Sequence, residues 1–271
     1  MAQLAGCDFS SSPTRRKPIV IALGSLEGGG RVVLEGLEIL PSLESFLAWL
    51  KEPRTWICGF DFPFGLPREL VEHLGWPPEW EACIRRYAGH TRAEIRTLFA
   101  AFCNARPAGA KFAHRAFDRL AGSSPSMKWV NPPVAYMLHA AVPLLIEAGV
   151  AIPGLHPGDR NRVALEAYPG LLARELVGRR SYKNDTKAKH TPERRIARED
   201  IVAALEAGRT RLGLSLAAPA ELGRDLIKDG GGDRLDAVLC LMQAAWAARQ
   251  GPPNFGLPAD LDPLEGWIVT A

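Results

Sequence analysis

Cysteine is sparse in this chain, and none of it falls in a ligand pattern. Cys7, Cys58, Cys83, Cys103 and Cys240 are scattered over 271 residues without a C-x-x-C pair. That spacing argues against a zinc ribbon and gives no disulfide framework. Cys7 and Cys58 lie within apolar runs and read as small buried hydrophobes. A dominant charge is lacking too: the formal net charge is +3, so the chain as a whole does not argue for nucleic acid. No apolar run reaches membrane-spanning length, and the first residues have neither the basic start nor the apolar stretch of a signal peptide. A cytoplasmic protein without membrane contact is the expectation. H-E-x-x-H, G-x-S-x-G and Walker-type phosphate loops are missing, and the six histidines show no metal-ligand spacing.

What is present is a hydrophobic content of 47% and a charged content of 23%, enough for a large core in one α/β domain spanning residues 1–271. Strand-like runs at residues 4–9, 18–23 and 31–40 are joined by short segments rich in Ser, Gly and Pro, which predicts a three-stranded antiparallel meander. A helix follows from Pro41-Ser42, with Leu43, Phe46, Leu47 and Leu50 on one face, and then a strand at 56–60. A helical crossover places that strand parallel to the first. Residues 68–153 read as a mainly helical insertion packed on the sheet, its best helix running over 131–149 with Asn131 as cap and Gly149 as stop. A fifth strand is expected at 162–167, helices at 192–207 and 233–249, and an edge strand at 267–270.

Two motifs carry the chemistry. Gly6-Cys7-Asp8-Phe9 and Gly59-Phe60-Asp61-Phe62-Pro63-Phe64-Gly65-Leu66-Pro67 each put an aspartate at the end of an apolar strand. A charge there is costly unless a metal, an arginine or backbone donors pair with it. Glu166 follows Val163-Ala164-Leu165 and precedes a Tyr-Pro turn, so its carboxylate should also emerge at a strand end, as a site residue or as the partner of an arginine. Asp233-Arg234-Leu235-Asp236 opens the last helix. Asp233 is either a helix cap or a ligand, whereas Asp236 lies at the edge of the stripe Leu235, Val238, Leu239, Met242 and Trp246, turned toward the sheet. Asp8, Asp61, Glu166 and Asp236 are therefore expected to converge, with Asp233 adjacent. Like charges so close raise each other's pKa unless a cation is present, and all-oxygen ligands favour Mg²⁺ or Mn²⁺.

Basic residues concentrate at residues 179–198. Arg179, Arg180, Lys183, Lys187, Lys189, Arg194, Arg195 and Arg198 stand against Asp185 and Glu193 alone. The segment is either a surface that tracks a phosphate backbone or a solvated face. Lys183, in Ser181-Tyr182-Lys183, is the preferred basic residue beside the acids. Lys111, Arg115 and Lys128 are further candidates, and Trp76 and Trp80 read as packing residues.

The first-strand aspartate, the Asp-Phe-Pro-Phe-Gly-Leu-Pro motif, the Glu-Ala-Tyr-Pro-Gly turn at 166–170 and the final Asp-Arg-Leu-Asp-Ala helix resemble the predicted nuclease family with an RNase H-like fold. That family is filed largely as a domain of unknown function. The resemblance implies a five-stranded mixed sheet, its first three strands antiparallel, flanked by helices. It also implies a metal-dependent hydrolase of nucleic-acid phosphodiesters in which Asp8, Asp61 and Asp236 bind the ions. Two other classes remain open: a nucleotide-binding phosphotransferase of the sugar-kinase and actin-like branch, and a non-catalytic nucleic-acid-binding module. The first needs glycine-containing phosphate turns, and residues 10–16 contain no glycine.

Overall fold

A computed structural model describes residues 2–271. Seven strands, not five, form one mixed sheet. They are β1 (Gln3–Asp8), β2 (Ile19–Glu27), β3 (Arg31–Leu40), β4 (Trp56–Phe60), β5 (Val150–Ala151), β6 (Asp159–Glu166) and β7 (Ser215–Ala217), in the spatial order β5-β6-β4-β1-β2-β3-β7. The two strands beyond the expected five are the sheet's edges, β5 and β7. With two and three residues, they are too short to show the alternation by which a strand is read from sequence. β1, β2 and β3 pair antiparallel, while β4 runs parallel to β1 and to β6. The tail contributes less than an edge strand. Ile268 makes a single parallel bridge with Glu166, and the Val269 N–H donates to the Glu166 carbonyl at 2.8 Å.

Helices cover both faces. Ten are present among the described residues: α1 (Leu43–Lys51), α2 (Arg68–His73), α3 (Trp80–Ala88), α4 (Arg92–Asn104), α5 (Asp118–Ala121), α6 (Val134–Glu147), α7 (Pro169–Val177), α8 (Pro192–Glu206), α9 (Ala220–Lys228) and α10 (Asp233–Gln250). α6 begins three residues later than the pattern predicts. A residue before proline is pushed out of the helical region, and Asn131, which precedes Pro132, has φ 35°. Its end is as expected, at Gly149 with φ 67°.

Strand alternation divides the core in two. Ala5, Cys7, Ile19, Ile21, Cys58 and Phe60 face α1 and the helices of the 68–153 segment, so segment and sheet share one core. Leu4, Val20, Ala22, Val32 and Leu34 face α7, α8 and α10. Trp76 and Trp80 are buried in the first core, and the Trp80 indole donates to the Phe64 carbonyl at 2.7 Å. Among the described residues, no helix is long and apolar enough to cross a membrane.

α10 is the element that positions the site. It lies directly on the sheet where β1 and β4 carry glycine in register, Gly6 opposite Gly59. A methyl group at Gly6 would collide with the backbone of Ala237 and Leu241, and one at Gly59 would come within 2.7 Å of the Cys240 carbonyl oxygen. The backbone-to-backbone approach that glycine permits brings the first turn of α10 down onto the ends of both strands.

Candidate metal centre

Asp8 stands two residues beyond Gly6, and Asp61 two beyond Gly59. With a period of two, both aspartates face the side on which α10 rests. The Asp61 N–H donates to the Cys7 carbonyl at 2.9 Å, carrying the strand pairing one residue past β4. Asp236, in the first turn of α10, meets them there: carboxylate oxygens of Asp8, Asp61 and Asp236 lie within 4.8 Å of one another. Asp236 is fully buried rather than at the margin of a stripe, because α10 is enclosed by the sheet, α7 and α9.

Asp236 has two partners. The Tyr182 hydroxyl donates to its Oδ1 at 2.7 Å, and the Lys183 ammonium donates to its Oδ2. Asp8 and Asp61 differ: among the described residues, no protein donor reaches their side-chain oxygens within hydrogen-bond distance. Three carboxylates against one ammonium leave two negative charges when all are ionised, the charge that one divalent cation carries. Burial pushes the Asp8 carboxyl well above its ordinary value, with Asp236 adding to the effect and Lys183 opposing it. Burial also raises Asp61, to about 7, opposed by Lys183 and reinforced by Asp236 and Glu166. Asp233 is raised as well, first by burial. For Lys183, burial works against the charge, yet Asp236, Tyr182, Asp8 and Asp61 outweigh it and the ammonium is held firmly protonated. A three-carboxylate, all-oxygen set with two members lacking protein donors fits Mg²⁺ or Mn²⁺.

Glu166 is not part of this cluster. Its oxygens accept both ends of the Arg115 guanidinium at 2.6 and 2.8 Å, and Oε2 also accepts the Phe64 N–H at 2.9 Å. Arg115 is 2% exposed and bonds Asp118 and the Glu265 carbonyl as well. The pairing of Glu166 with an arginine is thus what the structure contains, and it ties the helical segment to the end of β6. Phe64 follows Asp61 by three residues, so the same carboxylate braces the loop that carries Asp61.

The basic segment divides. Arg179, Arg180 and Lys183 line a cleft of about 930 Å³ that has Asp8, Asp61 and Asp233 in its wall. Arg180 is paired with Asp200 at 2.7 Å, whereas Arg179 is exposed and has no ion-pair partner among the described residues. Lys187 and Lys189 sit on an exposed 3₁₀ turn, outside the cleft lining. Arg194 bonds Ser181 and the Lys189 carbonyl, and Arg195 pairs with Glu199 at 3.0 Å. Arg198 is no surface cation: it is 4% exposed, and its guanidinium donates to the carbonyls of Tyr182 and Ile227 at 2.6 and 2.8 Å. That bond fixes the Tyr182-Lys183 pair against Asp236. Lys111 and Lys128 do not line the cleft. Tyr182 was not singled out as a site residue from sequence, although its place beside Lys183 in Ser-Tyr-Lys was the available signal.

The raised carboxyls give a prediction with a definite sign. Without metal, folded Asp61 keeps its proton up to about pH 7, whereas an unfolded chain releases it near the ordinary value of 3.8. The native state then binds more protons than the unfolded state between these values, so this group lowers stability as pH rises through the window. A cation needs the carboxylates ionised, so its binding strengthens over the same window, by about tenfold per pH unit for each proton released. The melting shift caused by Mn²⁺ is therefore expected to be larger at pH 8 than at pH 6, reaching about 5–10 °C at a hundred times the dissociation constant. A shift that does not change with pH would place the ion elsewhere.

Comparison with curated proteins and with solved structures finds no match. The model of the family described as "Protein of unknown function (DUF429)" matches residues 6–258, which include every residue of the carboxylate cluster, and the chain belongs to that family.

Proposed function

We propose that the protein is a metal-dependent hydrolase of nucleic-acid phosphodiesters with an RNase H-like fold. The observation that carries the reading is the convergence of Asp8, Asp61 and the buried Asp236, from three separate elements, at an open cleft whose wall includes Asp8 and Asp61. The topology supports it. The run β3-β2-β1-β4-β6 is contiguous in the sheet, its first three strands are antiparallel and β4 is parallel to β1. This is the arrangement that the resemblance implies, with short strands β5 and β7 added at the edges.

Asp8, Asp61 and Asp236 would hold Mg²⁺ or Mn²⁺. Bound there, the ion supplies the charge that makes a water nucleophilic near neutral pH and that offsets negative charge developing on the phosphoryl group. The chain's own residues do the rest. Tyr182 and Lys183 orient Asp236 by one hydrogen bond to each oxygen. Lys183 also keeps a positive charge beside the acids, which lowers the repulsion a phosphate would meet there. Arg179 provides a cation at the cleft wall that has no ion-pair partner among the described residues. The phosphotransferase reading has less support, since the β1–β2 connection contains no glycine and its Ser11 and Ser12 are bonded to Arg92.

The test is cleavage of a panel of RNA, DNA and junction substrates by the purified protein. Activity is expected with Mg²⁺ or Mn²⁺, lost in EDTA and restored by added ion. No cleavage of any substrate, together with turnover of a nucleoside triphosphate and a small acceptor, would transfer the site to the phosphotransferase class.

A further inference from the structure

The cleft over the carboxylates has two unlike walls, built from opposite faces of the sheet. One belongs to the α7, α8 and α10 side and carries the exposed Arg179, the Asp200-paired Arg180 and Lys183. The other belongs to the helical segment between β4 and β5 and is formed by Pro132, Pro133, Val134 and Met137 with Ser123 and Ser124. Pro132 and Pro133 are exposed and Val134 and Met137 part-exposed; of the charged residues beside them in the lining, Arg115 is neutralised by Glu166 and Asp118, and Arg174 donates to the Ala121 and Gly122 carbonyls. Asp8 and Asp61 lie at the strand ends between the two walls.

A duplex has little use for such a cleft. Its bases are stacked on one another, so an apolar wall meets only groove edges and charged backbone, and burying phosphates against it is unfavourable. A single strand presents both chemistries at once, phosphates along one side and unstacked base faces along the other. The volume of about 930 Å³ is at the upper end of the range for small-molecule sites, room for a few nucleotides of a strand within the cleft.

We propose that the substrate is single-stranded nucleic acid, bound with its phosphates along Arg179 and Lys183 and its bases against Pro133, Val134 and Met137. This rests on the phosphodiesterase reading above and narrows it.

The experiment compares one oligonucleotide sequence, as RNA and as DNA, free and annealed into a blunt duplex, in Mn²⁺. Cleavage of the free strand at ten times the duplex rate or more is expected. Met137→Glu should raise KM for the free strand several-fold while the Mn²⁺ melting shift persists, which separates loss of the base-facing wall from loss of the metal. Arg179→Gln should raise KM and reduce the salt dependence of binding, by about 0.7 in the log–log slope for the one phosphate contact removed. Duplex cleavage at an equal or greater rate would overturn this inference and leave the phosphodiesterase reading intact. Unchanged KM in both variants would also overturn it. Cleavage of neither form, with the protein folded, would overturn the phosphodiesterase reading and this inference with it.

Discussion

Asp61→Asn is expected to melt at a higher temperature than the unsubstituted protein at pH 8 without metal, while losing phosphodiester cleavage by about a thousandfold. The two effects share one cause. Asp61 is half-buried beside Asp8 and Asp236, and desolvation, reinforced by the charges of Asp236 and Glu166, raises its carboxyl to about 7, so at pH 8 it is ionised at a cost to the fold. Asparagine keeps the size and removes that charge. At pH 5 the native carboxyl carries a proton but the unfolded chain has already released its own, so the variant's advantage should be smaller than at pH 8 and vanish only below the ordinary value of 3.8. Adding Mn²⁺ should reverse the order at pH 8, because the unsubstituted protein gains from the ion and the variant gains much less. Circular dichroism, melting with and without Mn²⁺ at both pH values, and cleavage rates check all four statements. A variant that melts lower than the unsubstituted protein in metal-free buffer at pH 8 would show Asp61 to be a structural acid with a partner. Stability given up to hold ionised groups together is what a functional cluster is expected to show.

Arg115→Met should be the most damaging single change away from the cluster. It leaves Glu166 and Asp118, 4% and 0% exposed, without their cation, and removal of one member of a buried ion pair costs about 3–5 kcal/mol. For a chain of this size that is a fall of roughly 6–20 °C in melting temperature. Pairing it with Glu166→Gln should recover part of the loss, since one of the two orphaned charges is then gone. Strict additivity of the two substitutions would mean that the Arg115–Glu166 contact is not an energetic unit. The consequence extends to the site, because Glu166 also holds the Phe64 N–H, three residues from Asp61. The double variant, even where folded, should bind Mn²⁺ more weakly.

Much of the centre was legible in the chain. Gly-x-Asp recurs at Gly6-Cys7-Asp8 and Gly59-Phe60-Asp61, and strand periodicity puts each aspartate on the face of its glycine. Asp236 was readable as a carboxylate inside the first turn of an apolar helix that follows three glycines. Local chemistry alone carries such signals: a charge after an apolar run, a glycine where a backbone approaches, a hairpin-length connection between strands. The two short edge strands were not legible, because two or three residues hold no period.

Other features depended on residues far apart in sequence. Glu166 had the same local signature as Asp8, yet its place outside the cluster was decided by Arg115, 51 residues earlier, which the fold brings to its oxygens. Arg198 looked like one more member of a basic face until packing set it against two backbone carbonyls. Nor did any local pattern show that 132–137 would stand across a cleft from Arg179, since the two walls come from opposite faces of the sheet. By itself, then, the sequence determined which side chains end the central strands and open the last helix, because those properties are local and periodic. Only the tertiary structure decided which carboxylate is neutralised by an arginine and which three converge on one another, because charge pairing depends on distances that chain order does not set.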